Sequence, residues 1–124
     1  MSYATKHEVT VTTDASGDGT AYTDTTVNGC VKTIIYTKDD FANGVDFTIT
    51  TETTLQNLWV ESDVNASATR APHQPTHDAT GTALVYAAAG EPVDTDIFAV
   101  DERLKVVVAQ GGDTKSGTFT FIVT

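Results

Sequence analysis

The sequence predicts an all-β fold: a single antiparallel β-sandwich or barrel of about seven to eight short strands, covering residues 1–124. Three observations carry that expectation. Threonine occurs 24 times and valine 14 times in 124 residues, and both are β-branched, stiff at χ1 and suited to a pleated surface. Apolar residues recur with period two in one segment after another, the spacing of a strand with one wet face. Gly, Asn, Asp and Pro punctuate these segments at even intervals, and no stretch carries a convincing helical period.

Residues 7–13, HEVTVTT, set Val9 and Val11 against Glu8, Thr10 and Thr12 and predict a half-buried strand. Asp14 to Gly19 supplies turn residues. Residues 20–27, TAYTDTTV, read as a polar edge strand. Asn28-Gly29 follows as a hairpin signal, because both residues tolerate positive φ. Residues 30–37, CVKTIIYT, predict a strand with Val31, Thr33 and Ile35 on one face and Ile34 and Tyr36 on the other. After a loop at 38–44, residues 45–52 alternate cleanly, with Val45, Phe47 and Ile49 inward. Residues 55–61 predict a strand around Leu58 to Val60.

The pattern then breaks. Residues 62–80, SDVNASATRAPHQPTHDAT, hold Pro72 and Pro75 and almost no large apolar side chain. Such a stretch is expected to be an extended arm that contacts a partner. Residues 82–89, TALVYAAA, read as a short strand or a helical turn, and 95–100 as a weak strand. Residues 102–109, ERLKVVVA, are a strong strand. Gln110 to Ser116 reads as a hairpin loop. Residues 117–123 close the chain with Phe119, Phe121 and Val123 on one face.

Seven Lys and Arg against 17 Asp and Glu leave a formal charge of −10. The basic residues are scattered, so neither nucleic acid nor an anionic membrane surface is an expected partner. The start, MSYATKHEVTV, has no apolar h-region, so no secretory signal is expected. No apolar run approaches the ~20 residues that span a bilayer. A single cysteine, Cys30, excludes an internal disulfide and any multi-cysteine zinc site.

Candidate chemistry is sparse. Asp14-x-Ser16-x-Asp18-Gly19 has the first half of a calcium loop, but Thr25 stands at its twelfth position and the flanks are strands. A polar turn is the expected reading. His73 and His77 are four apart beside Asp78, yet Pro72 and Pro75 oppose the helix that would bring them together. Cys30 has no basic neighbour in sequence to lower its pKa and reads as a small buried apolar residue. Asn65-Ala-Ser67 matches the glycosylation pattern, which is common by chance. No phosphate loop, dinucleotide fingerprint or nucleophile elbow occurs. No catalytic set, metal or cofactor is therefore expected. Trp59 is a core residue by default, or a contact anchor if exposed.

The features VTVTTDASGDGTAYT, YTKDDFANGVDFTIT, VNASATRAP, THDATGTALVYAAAG and DERLKVVVAQGGDTKSGTFTFIV run over nearly the whole chain. In this order they resemble small structural proteins encoded among the head and tail genes of tailed bacteriophages. Arg70-Ala-Pro72 to Thr76-His77-Asp78 and the segment around Gln110-Gly111-Gly112 are the sharpest pieces. The resemblance implies a β-rich, non-enzymatic particle component residing in the virion after synthesis in the host cytoplasm. It implies capsid, neck or tail subunits as partners, with the chain present as a homo-oligomer or in many symmetric copies. Within that class, an accessory protein decorating the capsid or neck is expected first, and a neck, collar or tail component second. A carbohydrate-binding β-sandwich module is the rival of another class. The candidate subunit contacts are Trp59, Arg70, Pro72, His73, Pro75 and His77. Arg70 is the only arginine before residue 103 and could form a forked pair with a neighbour's carboxylate.

Overall fold

The computed structural model describes residues 3–124. Among these residues there are eleven strands: β1 Thr5–Thr12, β2 Gly19–Tyr22, β3 Val27–Lys38, β4 Val45–Thr51, β5 Asn57–Val64, β6 Ala68–Arg70, β7 His73–Pro75, β8 Asp94–Asp96, β9 Phe98–Glu102, β10 Leu104–Ala109 and β11 Ser116–Val123. The expected all-β, antiparallel, sandwich-like fold is what forms. The strand count exceeds the expected seven to eight because β6, β7 and β8 are three residues long. Strands that short carry no readable alternation.

One sheet runs β1-β11-β3-β6, with β9 also pairing with β3; the other runs β2-β10-β4-β5, and β7-β8 form a separate ribbon. The two large sheets meet across an aromatic centre. Phe47 on β4 packs edge-on against Tyr36 on β3 at 4.6 Å and Phe119 on β11 at 4.8 Å. Val9, Val11, Val45, Ile49, Phe121 and Val123 are buried with them, each on the face that its period-two pattern assigned. Leu104, Val106 and Val108 alternate into the same core from β10.

Several local expectations are corrected. Asn28-Gly29 is no hairpin turn: it lies inside the twelve-residue β3, at a register shift between Val27 and Gly29. Gly29 has φ +129, and a Cβ there would meet the Thr124 carbonyl oxygen at 2.5 Å. The dipeptide thus serves a bulge and a close backbone approach. A second irregularity pairs Thr33 with Ile122 but Val31 with Val123. It leaves Lys32 as the extra residue, so Val31 joins Ile34 and Tyr36 in the core instead of following Thr33 and Ile35. Gln110 to Ser116 is a crossover, since β10 and β11 lie in different sheets. Residues 20–27 are not one strand: β2 ends at Tyr22 and β3 begins at Val27.

Tyr36 is wholly buried, and its hydroxyl finds no hydrogen-bond partner among the described residues. Removing that hydroxyl removes an unpaired polar atom and little volume. Tyr36→Phe is therefore expected to stabilise the fold by about 1 kcal/mol, read as a higher denaturant midpoint at unchanged slope. A lower midpoint would mean that the hydroxyl has a partner. Burial, with the nearby Asp39 charge, pushes the Tyr36 pKa up to about 12. Between the ordinary tyrosine value and that one, the unfolded chain releases its proton before the folded chain does. Stability present below pH ~10 then falls as pH rises to about 12, and Tyr36→Phe should flatten that decline.

Candidate functional site

The segment from Ala71 to Asp96 leaves the sandwich and returns to it as a lobe. Its stalk is the β7-β8 ribbon, in the register His73 to Asp96, Gln74 to Thr95 and Pro75 to Asp94. Pro72 and Ile97, just outside the two ends of the stalk, are both buried, so the lobe is rooted at both strands. Beyond the stalk three backbone hydrogen bonds close a ring. Thr76 N–H donates to the Val93 carbonyl (2.8 Å), Val93 N–H to the Leu84 carbonyl (3.0 Å) and Leu84 N–H to the Thr76 carbonyl (2.9 Å). The Thr76 hydroxyl adds a bond to the Val93 carbonyl at 2.7 Å.

Two turns build the outer part. Asp78 Oδ1 accepts from the Thr80 and Thr82 amides at 2.9 and 3.0 Å and from the Thr80 hydroxyl at 2.8 Å. These bonds, the Thr80 hydroxyl foremost, hold the Asp78 carboxyl below its ordinary pKa. At the second turn Tyr86 N–H donates to the Glu91 carbonyl, and Gly90 N–H to the Ala87 carbonyl. Every residue from His77 to Pro92 is exposed. The apolar run is exposed with them: Tyr86 is 77% accessible, Leu84 46% and Val85 42%. The outer part of the lobe is thus hydrogen-bonded within itself and carries exposed apolar side chains.

Charge is arranged around the stalk. Lys32 Nζ lies 2.8 Å from Asp96 Oδ2, and His73 Nε2 lies 3.6 Å from Asp96 Oδ1. The hydrogen bond from Lys32, then that from the Cys30 thiol, pulls the Asp96 pKa down. Burial first, and the Asp96 carboxylate second, push the Cys30 thiol up. A thiol whose pKa is raised is the opposite of an activated nucleophile. The sign of the Asp96 shift sets a pH window. The brace contributes above the ordinary aspartate pKa and is lost as pH falls through the depressed folded value. Amide exchange across residues 73–76 and 93–96, corrected for its intrinsic pH dependence, should accelerate in that acid range before the core strands do. Asp96→Asn should remove the difference; simultaneous opening of stalk and core would contradict it.

No family model matches the chain, and no curated protein matches it. Among solved structures, the crystal structure of FLHE is similar over 98% of each chain, with 11% sequence identity and a TM-score of 0.47. A likeness at that level carries no argument about function.

The structure separates the six expected contact residues. Trp59 is 5% accessible and packs edge-on against Phe47 at 5.5 Å. Its Nε1 donates to Glu61 Oε1 at 2.9 Å. Arg70 makes its forked pair with Glu61 of its own chain, Nε to Oε1 and Nη2 to Oε2, both at 3.0 Å. Its guanidinium also lies 5.2 Å from the Trp59 ring centroid. Trp59, Glu61 and Arg70 thus tie β5 to β6: Trp59 takes the core place that was its default reading, and Arg70 makes its forked pair within its own chain. Pro72 is buried at the stalk root. His73, Pro75 and His77 are all exposed, His73 on the stalk facing Asp96 and His77 bridged to Ala83. The two histidines have different partners and do not converge.

The expected 62–80 arm is likewise not one unstructured strap. β5 ends in it, β6 pairs with β3, and β7 pairs with β8. The apolar surface lies further along, at Leu84 to Tyr86. Its sequence signal was an apolar run, TALVYAAA, set between turn residues with no period to bury it. Asp14 caps its own turn, accepting the Ser16 and Asp18 amides at 2.8 and 3.1 Å. Among the described residues no three His, Cys, Asp or Glu side chains are placed to share a metal ion. Tyr36 and Trp59 are core residues and Tyr22 lies under the Arg103 guanidinium at 4.3 Å, so these aromatics build no flat sugar-stacking platform.

Proposed function

We propose that this chain is a non-enzymatic structural protein of a tailed-phage particle, an accessory protein that decorates the capsid or neck by docking on another virion subunit. The lobe carries this reading. It commits more than twenty residues, from Ala71 to Asp96, to a rooted projection whose outer part is exposed throughout from His77 to Pro92. Exposed apolar side chains on a braced element lower the ordering cost of docking, because the backbone is already held. The sequence resemblance to virion proteins of the head and tail gene cluster supports the particle as the setting. Many symmetric copies would let modest single contacts add up.

The test is the composition of purified particles. Mass spectrometry of gradient-purified virions from a phage carrying the gene should find the chain at a fixed copy number per particle. Cryo-electron microscopy should then place it on the capsid or neck. Its absence from intact particles would overturn the reading. Saturable, selective binding on a glycan array would replace it with the carbohydrate-binding one.

A further inference from the structure

The lobe also defines what it docks against, an inference that rests on the particle reading above. We propose that Tyr86, Leu84 and Val85 insert into an apolar seat on the partner virion protein, and that this seat is rimmed by lysine and arginine. The apolar half follows from exposure, since Tyr86, Leu84 and Val85 are all exposed on the lobe. A large exposed aromatic on a pre-formed element is the usual anchor of an interface.

The rim follows from charge. No Lys or Arg occurs between Arg70 and Arg103. The lobe carries Asp78 at its first turn, Glu91 across the second turn from Tyr86, and Asp94 on the stalk beside Val93. All three are exposed. Asp96 alone is neutralised, by Lys32 at the root. Hydrogen bonds inside the lobe hold Asp78 ionised. Among the described residues, the Glu91 and Asp94 carboxylates have no cation within salt-bridge distance. An acidic or neutral partner would leave this charge desolvated or repelled, whereas a basic rim pairs it and steers the encounter. The net charge of −10 disfavours a second copy of this chain as the occupant for the same reason.

The apolar pair Phe98 and Val100 on β9 is the competing surface. The experiment measures rebinding of the purified chain to particles made by a phage lacking the gene. The wild-type chain should rebind, with affinity falling as salt rises. Tyr86→Ala should weaken rebinding about tenfold or more, while Phe98→Ala should leave it unchanged. Glu91→Gln with Asp94→Asn should weaken it several-fold at low salt and flatten the salt dependence. Unchanged melting of each variant confirms that the fold is intact. If Tyr86→Ala binds like wild type, or the loss appears in Phe98→Ala instead, the lobe is not the docking element. If the neutralised variant binds as tightly as wild type at low salt, the basic rim is wrong. Both results leave the particle reading standing. A wild-type chain that neither rebinds nor occurs in native particles overturns both.

Discussion

Phe47→Ala is expected to cost about 3–5 kcal/mol, the largest loss from any single side chain considered in this protein. The ring is buried at the centre of the molecule and contacts Tyr36, Trp59 and Phe119 at 4.6, 5.5 and 4.8 Å. It therefore joins β3 and β11 of one sheet to β4 and β5 of the other. Truncation opens a cavity where both sheets meet, and neither can move in without breaking its own ladder. Domains of this size hold about 5–15 kcal/mol in total, so the variant should sit at the edge of folding. Chemical denaturation checks it, and Phe47→Leu should recover part of the loss. A Phe47→Ala cost under about 1.5 kcal/mol would mean that the sheets collapse freely around the site.

The second large effect is expected at Glu102, the one buried carboxylate among the described residues. Its Oε1 accepts the Thr53 and Thr54 amides at 2.8 and 3.0 Å, and its Oε2 accepts the Thr54 hydroxyl at 2.9 Å. A side chain at the end of β9 thus organises the turn between β4 and β5, which carries Leu55 at φ 57. Burial raises the Glu102 pKa, but the Thr54 and Thr53 amides and the Thr54 hydroxyl outweigh it, and the net value is lowered. Glu102→Ala loses three bonds to a charged acceptor, at a cost of about 2–3 kcal/mol once water has replaced part of them. Glu102→Gln keeps one acceptor oxygen and should cost roughly half as much. Because the folded pKa is depressed, this stability is present above the ordinary glutamate pKa and lost as pH falls through the folded value. Acid unfolding of Glu102→Gln should accordingly be less steep than that of the parent. Equal stability of all three proteins would show that the turn holds itself.

The strand faces were legible where alternation runs unbroken. Val9 and Val11, Val45, Phe47 and Ile49, and Phe119, Phe121 and Val123 all went where their spacing put them, because a pleated backbone turns successive side chains to opposite faces. Cys30 was legible as a buried, free thiol. Arg70 was legible as a forked partner for a carboxylate, although that carboxylate is Glu61 of its own chain. No local signal distinguishes an ion pair across a sandwich from one across an interface.

By itself, then, the sequence determined the all-β class and the buried faces of its long strands, since both follow from side-chain volume and a two-residue period. Only the tertiary structure decided the rest. The bulges at Asn28-Gly29 and Lys32, the passage of residues 110–116 between sheets, and the pairing of β7 with β8 depend on hydrogen bonds to distant strands. Backbone amides and carbonyls are the same in every residue, so their partners leave no mark on the local pattern. The lobe shows this most plainly. TALVYAAA shows an apolar run without a burying period, but not where it will stand; its place in water was set when Pro72 and Ile97 were buried at its roots, and Thr76, Leu84 and Val93 satisfied one another beyond them.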